Sequence, residues 1–166
     1  MAGDPFRAFY EDHEVIRRRL RALEQSLDAA MNRDRADSAE QHLFQETVMF
    51  LRTAVFDHFH REEHALLPPL EATVGRFGTL VNVITYDHEE VRREVGKLVE
   101  AVAALAAKGD EAHVAELREV NRHGIFLIQY LGLHMAKEDS SLAEMAREAL
   151  GDDGIREVAR RLEEAG

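Results

Sequence analysis

The chain has 166 residues, no cysteine and a formal net charge of −11. This length suits one domain with a full-sized core, and the lack of cysteine excludes disulfides, thiolate metal ligands and a thiol nucleophile. The negative charge repels phosphate backbones and anionic membranes, so we expect neither nucleic acid nor membrane partners. Because the sequence shows no signal-like segment and no bilayer-spanning apolar run, we expect a cytoplasmic protein.

Prolines and polar segments divide the chain into long helical stretches. Helix A is expected to begin with Pro5 at its first position, and Asp37 or Ser38 is expected to cap helix B. Pro68 and Pro69 should stop helix B. Helices A to D and a short fifth helix are predicted over residues 5–30, 38–67, 76–108, 110–150 and 153–165.

Apolar residues recur at alternating steps of three and four along all four long helices. This periodicity is typical of the inward-facing seam of an antiparallel bundle, and short loops make consecutive helices neighbours. We therefore predict an all-α protein, an up-down-up-down antiparallel four-helix bundle over residues 1–150. Residues 151–166 are predicted to form a short extra helix that packs on the bundle or trails it.

Four histidines and two glutamates interrupt the apolar seams. A buried polar group without a partner costs about 2–7 kcal/mol. Six of them would exceed the net stability of a domain, which is about 5–15 kcal/mol. Mutual hydrogen bonds could satisfy some of the six, whereas a metal centre would satisfy all of them. We therefore predict six metal ligands, namely His13, His58, Glu62, His88, His134 and Glu138.

An internal repeat indicates that the metal centre has two equivalent halves. DHEVIRR at 12–18 returns as DHEEVRR at 87–93, and HFHREE at 58–63 returns as HMAKED at 134–139. Each half supplies a lone histidine and an H-x-x-x-E pair, whose two side chains lie one turn apart on one helix face. Two facing halves predict a two-metal site. Nitrogen and carboxylate ligands without sulfur suit iron, manganese or zinc, and open coordination positions favour iron.

The order H … H-x-x-x-E … H … H-x-x-x-E, with HFHREEHALLPPLE around the second histidine, resembles the hemerythrin-like, or HHE cation-binding, family. The resemblance covers about residues 5–148. It implies two non-haem iron ions as the cofactor, with manganese or zinc as substitutes. It also implies one iron on His13 and His58 and a second on His88 and His134, with Glu62 and Glu138 as bridges.

The sequence departs from the oxygen-carrying hemerythrins at two positions. Those proteins have a second histidine one turn after the helix C ligand, where this chain has Arg92. They also have an aspartate spaced H-x-x-x-x-D, where this chain has Glu138 at H-x-x-x-E. The pattern is more similar to bacterial and regulatory members, whose roles include oxygen or iron sensing and reaction with peroxide or nitric oxide.

We therefore expect a di-iron protein that binds dioxygen or a related small ligand for sensing, storage or protection. One alternative is a di-iron enzyme that consumes hydrogen peroxide or nitric oxide. Another is an iron-responsive interaction module that a protein partner reads, although the sequence does not identify that partner. The last is a metal-free structural bundle, for which His13→Ala and His134→Ala would be harmless or stabilising.

Other polar residues lie close to the predicted ligands. Tyr130, one turn before His134, is a candidate for an extra ligand or for a hydrogen-bond donor to the bound small molecule, and Tyr10 is a weaker one. His60 and His64 are expected on the surface, while three other histidines, at 42, 113 and 123, show no signal. Five acids are either acceptors for the imidazole N–H groups or solvated surface groups, namely Asp12, Asp57, Glu63, Asp87 and Asp139.

Overall fold

The computed structural model of the protein describes residues 4–109 and 111–165. Within these ranges the chain is helical and contains no strand, which confirms the predicted all-α class. Three short π-helical turns interrupt the α-helices. The α-helices are α1 (Phe6–Asn32), α2 (Ser38–Phe50), α3 (Phe56–Arg61), α4 (Leu67–Val74), α5 (Leu80–Lys108), α6 (Val114–Lys137) and α7 (Ala143–Ala165). The π-helical turns are π1 (Leu51–Val55), π2 (Glu62–Leu66) and π3 (Glu138–Leu142).

Helix α2 begins where the sequence predicts a cap. The Asp37 side chain accepts a hydrogen bond from the Glu40 backbone N–H at 2.9 Å. In return, the Glu40 side chain accepts one from the Asp37 backbone N–H at 2.8 Å. This reciprocal capping box satisfies two N–H groups that the first turn of a helix leaves without partners. Local sequence therefore fixes where helix B starts.

The prediction that Pro68 and Pro69 stop helix B is wrong. The helix continues through both prolines to Val74 and leaves the helical conformation at Gly75, whose φ of +79° favours glycine. The turn π2 changes the backbone hydrogen-bond register just before the prolines, so they fall in the first turn of α4. Proline is tolerated there because the N–H groups of a first turn have no partner within the helix.

Helix D is formed by α6, π3 and α7 in succession. Its predicted start at Asp110 lies outside the described residues, and α6 begins at Val114. The backbone of Gly151 is not helical, with φ 61° and ψ −173°, so the chain kinks where the sequence predicts a stop. A separate fifth helix after this kink remains a prediction.

The helices pack into a bundle whose apolar core has two parts. The larger cluster includes Ile16 and Leu20 of α1, and the smaller one includes Phe6 and Phe9 of the same helix. Along α1 the buried residues before His13 belong to the smaller cluster and those after it belong to the larger one. On each of the other long helices, the boundary between the two clusters also lies at a predicted ligand. No described helix is long and apolar enough to cross a membrane.

Two glycines of α6 provide a matched test of this packing. A Cβ atom at Gly124 would lie 2.8 Å from Leu27 Cδ1, whereas one at Gly132 would meet no atom within 4 Å. We expect Gly124→Ala to lower the free energy of unfolding by about 1–3 kcal/mol through overpacking. Gly132→Ala should raise it by about 0.5–1 kcal/mol through helix propensity. Denaturant unfolding of both variants measures these changes, and equal effects would contradict the assigned packing.

Candidate metal centre

The structure brings all six predicted ligands together in the middle of the bundle. Their side chains are between 0% and 2% exposed, so water does not satisfy them. Their ligand atoms form two groups of four, and within each group these atoms lie within 4.8 Å of one another. One group contains His13 and His58, the other contains His88 and His134, and both contain the two glutamates, Glu62 and Glu138.

The distances in the first group fit a shared cation. His13 Nε2 lies 3.1 Å from His58 Nε2 and 3.1 Å from Glu138 Oε2, and His58 Nε2 lies 3.5 Å from Glu62 Oε1. Two ligand atoms that are each about 2.1 Å from a metal lie about 3.0 Å apart at right angles and about 3.4 Å apart in a tetrahedron. The observed separations are therefore compatible with atoms that bind one ion, although the two imidazole nitrogens are also within hydrogen-bond distance of each other.

The glutamates connect the first group to the second. Glu62 turns Oε1 towards His58 and places Oε2 3.1 Å from His88 Nε2. Glu138 places Oε2 near His13 and Oε1 3.0 Å from His134 Nε2. Each carboxylate thus offers one oxygen to each group, which is the geometry of a carboxylate bridge between two ions.

Several buried polar atoms of the two groups lack a hydrogen-bond partner among the described residues. In the part of the chain that the structure describes, no partner is found for either oxygen of Glu62, for either oxygen of Glu138, or for Nε2 of His88 and His134. Two pairs of these atoms nevertheless lie close together, Glu62 Oε2 to His88 Nε2 at 3.1 Å and Glu138 Oε1 to His134 Nε2 at 3.0 Å. Unpaired buried polar atoms are costly, and nitrogen and carboxylate ligands suit iron, manganese or zinc. The residues therefore fit a pair of metal ions.

Both glutamates are the first residues of π-helical turns, Glu62 of π2 and Glu138 of π3. Such turns are rare and are frequently found at functional sites. Here the glutamate reaches the centre while the next residue reaches another helix, as Glu63 does to His88 and Asp139 does to His13. The turns therefore help to orient both acids of each pair.

A ring of carboxylates surrounds the four imidazoles. Each helix supplies the acid that binds the histidine of the next helix, and the ring closes from helix D to helix A. The Nδ1 distances are 2.7 Å for His13 to Asp139, 3.0 Å for His58 to Asp12, 2.8 Å for His88 to Glu63, and 3.2 Å for His134 to Asp87. These bonds orient the rings and favour a proton on Nδ1, which leaves Nε2 free for a metal.

A cation on the same helix as the histidine binds each of these acids. The Arg92 guanidinium donates to Glu63 at 2.8 and 3.0 Å, and Lys137 Nζ donates to Asp87 at 2.6 Å. The other two ion pairs join Arg17 to Asp139 and Arg61 to Asp12. Each corner of the centre is therefore a chain of cation, carboxylate and imidazole, in which the cation balances the charge of the acid.

These contacts shift the pKa values of Glu63 and His134. Burial raises the pKa of Glu63, but hydrogen bonds from His88 and Arg92 outweigh it and lower the pKa to about 2. Burial lowers the pKa of His134, but the hydrogen bond to Asp87 and the nearby carboxylate of Glu138 outweigh it and raise the pKa to about 10. Near neutral pH a metal ion must therefore displace a proton from His134.

The structure distinguishes the five acids that the sequence left ambiguous. Asp57 is exposed and binds none of the histidines, whereas the other four form the ring. The Tyr130 hydroxyl donates to Asp87 Oδ1 at 2.9 Å and so contacts an acid of the ring instead of the central atoms. Tyr10 packs against the smaller core cluster, and its hydroxyl has no hydrogen-bond partner among the described residues.

Arg92 stands where the oxygen carriers have a further histidine, and it supplies no ligand atom to the centre. Its guanidinium turns away to Glu63 and lies 5.8 Å and 5.5 Å from the ring centroids of Phe56 and Phe59. The Arg92 side chain is therefore one of the four cations that bind the ring of carboxylates. No replacement for the missing histidine comes from this position.

The remaining histidines lie away from the centre. His60 and His64 are exposed, as expected, with ring centroids 3.8 Å apart. His113 is buried and accepts a hydrogen bond from the Ala36 backbone N–H at 3.0 Å, and buried His123 pairs with Glu94. Sequence reasoning missed both roles, although each of these two histidines lies four residues before a buried leucine of helix D.

Comparison with known proteins supports the resemblance seen in the sequence. The chain matches the family model of the hemerythrin HHE cation binding domain over residues 4–146. Neither the curated proteins nor the solved structures give a match. The matched range contains all six residues of the centre.

The ring of acids can be tested with two aspartates. We expect Asp139→Asn to lower the affinity for Fe²⁺ at one position by about 10- to 100-fold, because the acid that orients His13 loses its charge. Asp57→Asn, on an exposed acid without a histidine contact, should leave the affinity unchanged. Anaerobic titration calorimetry measures both, and an unchanged affinity in Asp139→Asn would show that the ring does not support the ligands.

Acid should destabilise the metal-free protein through Glu63. Because its pKa is about 2 in the folded state and near its ordinary value of 4.5 in the unfolded state, its contribution to the free energy of unfolding is complete above about pH 4.5. It is lost as the pH falls towards 2, and it amounts to at most about 3 kcal/mol. Denaturant unfolding between pH 6 and pH 2 should therefore show a weaker pH dependence for Glu63→Gln. If the free energy of unfolding depended on pH in the same way in both proteins, the assigned role of Glu63 would be contradicted.

Proposed function

This chain belongs to the hemerythrin HHE cation-binding domain family, and we propose that it holds two iron ions and binds dioxygen or a related small ligand. Sensing, storage or protection would be its role. The observation that carries the proposal is that the two groups of four ligand atoms share Glu62 and Glu138. Bound iron would supply a redox-active Lewis acid to a small molecule at such a centre.

Open coordination supports a ligand-binding centre over a structural metal site. Each position draws on two imidazole nitrogens and on glutamates that serve both ions. Because Arg92 is engaged with Glu63, it adds no ligand. Four ligand atoms would close a tetrahedral structural zinc site, whereas a metal ion that takes six ligands would keep positions for exogenous molecules, and this favours iron.

The walls of the centre favour a small molecule. The Phe59 ring stacks on His88 with 3.8 Å between centroids and meets His134 edge-on at 5.5 Å. Phe9 meets His58 edge-on at 5.7 Å. The two core clusters lie above and below the ligands, so apolar residues exclude water from these two sides of the centre. A diatomic molecule or a peroxide suits this enclosure better than a larger substrate.

Binding is favoured over turnover because the nearby acids and hydroxyl are already engaged. All four ring acids accept hydrogen bonds from imidazoles, and the Tyr130 hydroxyl donates to Asp87. A catalyst that consumes peroxide needs a group that moves protons at the reacting atoms. None of the four ring acids is free for this task, and the Tyr130 hydroxyl is engaged with Asp87.

We extend the proposal to the architecture. Helices A to D would alternate in direction, and the segment after residue 150 would form a separate short helix. What supports the alternation is the order of the core clusters. The smaller cluster precedes the ligand on helices A and C and follows it on helices B and D, as Phe9, Leu66, Ile84 and Leu142 illustrate. The kink at Gly151 supports the separate helix.

Iron content and ligand response test the proposed function. Protein expressed with iron should contain about two irons per chain, and its absorption spectrum should change on anaerobic reduction and on exposure to dioxygen or nitric oxide. His134→Ala should lose at least one iron. His60→Ala, on an exposed histidine outside the centre, should keep both.

The same experiment separates the alternatives. Loss of hydrogen peroxide or nitric oxide over many turnovers would favour the enzyme. A large loss of helicity on chelation would favour the iron-responsive module. No bound metal, with unchanged folding in the His134→Ala variant, would overturn the proposal and indicate a metal-free bundle.

A further inference from the structure

Four acids and four cations surround the imidazoles, and together they are called the outer ring here. The internal repeat includes this outer ring as well as the ligands. Each member of the ring in the first half has a counterpart 75 or 76 positions later in the chain. The pairs are Asp12 with Asp87, Arg17 with Arg92, Arg61 with Lys137, and Glu63 with Asp139. Counterparts also make equivalent contacts, since each acid binds one imidazole and one cation. Ligands and ring alone would thus give two similar metal positions.

Tyr130 breaks this symmetry. Its hydroxyl donates to Asp87 Oδ1 at 2.9 Å, so Asp87 has three protein donors. The residue that corresponds to Tyr130 in the first half is Ala54, which has no hydroxyl. Asp12 accepts both of its hydrogen bonds at Oδ2, and its Oδ1 has no protein donor among the described residues.

The two equivalent acids therefore differ in burial. The side chain of Asp87 is 4% exposed, whereas that of Asp12 is 30% exposed. Phe126 fixes the covering tyrosine, because its ring stacks on Tyr130 with 5.3 Å between centroids and 14° between planes. The backbone differs at the same place, since the turn π1 precedes His58 while α6 is continuous before His134.

Burial and an additional donor affect how the acid supports its imidazole. Solvent screens the charge of Asp12, but it hardly reaches Asp87, so the attraction of Asp87 for a nearby cation is stronger. Three donors also hold Asp87 in one orientation, which reduces the ordering that metal binding requires at His134. Both effects favour metal binding in the second half of the repeat.

We infer that the two metal positions are inequivalent, that the position held by His88 and His134 fills first, and that Tyr130 is the positioning residue responsible. The inference rests on the proposed function, because it requires two metal ions. Tyr130 acts through Asp87 and does not touch the metal.

Half-site variants measure the difference directly. His13→Ala keeps the position of His88 and His134, and His88→Ala keeps the other. In anaerobic calorimetry, we expect the His13→Ala protein to bind Fe²⁺ about five- to tenfold more tightly than the His88→Ala protein does. Adding Tyr130→Phe should weaken binding about three- to tenfold in the His13→Ala protein and leave the His88→Ala protein unchanged. Tyr86→Phe, which removes an exposed hydroxyl without a hydrogen bond, should change neither.

A second measurement uses the protein with all six ligands. At one equivalent of Zn²⁺, nuclear magnetic resonance should show the ring signals of His88 and His134 shifting before those of His13 and His58. Tyr130→Phe should reduce this preference, whereas Tyr86→Phe should not. This readout remains available if a half-site variant fails to fold.

The outcomes also separate this inference from the proposed function. Equal affinities of the two half-site variants, or equal weakening of both by Tyr130→Phe, would overturn the inference while leaving a two-metal centre in place. Simultaneous shifts of all four imidazoles would do the same. Fewer than two metal ions bound by the protein with all six ligands would overturn the proposed function itself.

Discussion

The structure depends on satisfying six polar side chains in a layer that water does not reach. The four histidines and two glutamates are between 0% and 2% exposed, and two apolar clusters enclose them. Six atoms of this layer have no hydrogen bond within the protein, including all four oxygens of Glu62 and Glu138. The cost of such atoms is what links the stability of the bundle to metal binding.

The surroundings of the layer follow from the same requirement. An imidazole must present Nε2 inwards, so an acid at Nδ1 orients it, and a cation on the outside balances the acid. Four such chains form a closed ring in which every helix holds the next. The π-helical turns at Glu62 and Glu138 allow one helix to send consecutive acids to different partners. Orientation of the ligands and cohesion of the bundle therefore depend on the same contacts.

Repetition makes the two halves similar, and one residue makes them different. The acids Asp12 and Asp87 have the same place in the repeat, the same kind of cation and the same kind of imidazole. Only Asp87 is covered, because Tyr130 lies over it. A carrier, a sensor and an enzyme each place different requirements on a pair of metal ions. A difference between the two metal positions is one way to meet such a requirement.

The sequence by itself determined the helical class, the family and the grouping of six residues, because periodicity and an internal repeat are properties of the chain order. It also placed the cap at Asp37, which depends on neighbouring residues only. It failed at Pro68, because a change in helical register precedes the proline and no local pattern predicts that change. The selection of Asp12 over Asp57 and the contact of Tyr130 with Asp87 were decided only by the tertiary structure, since adjacent helices must be placed before a side chain on one can reach an atom on the other.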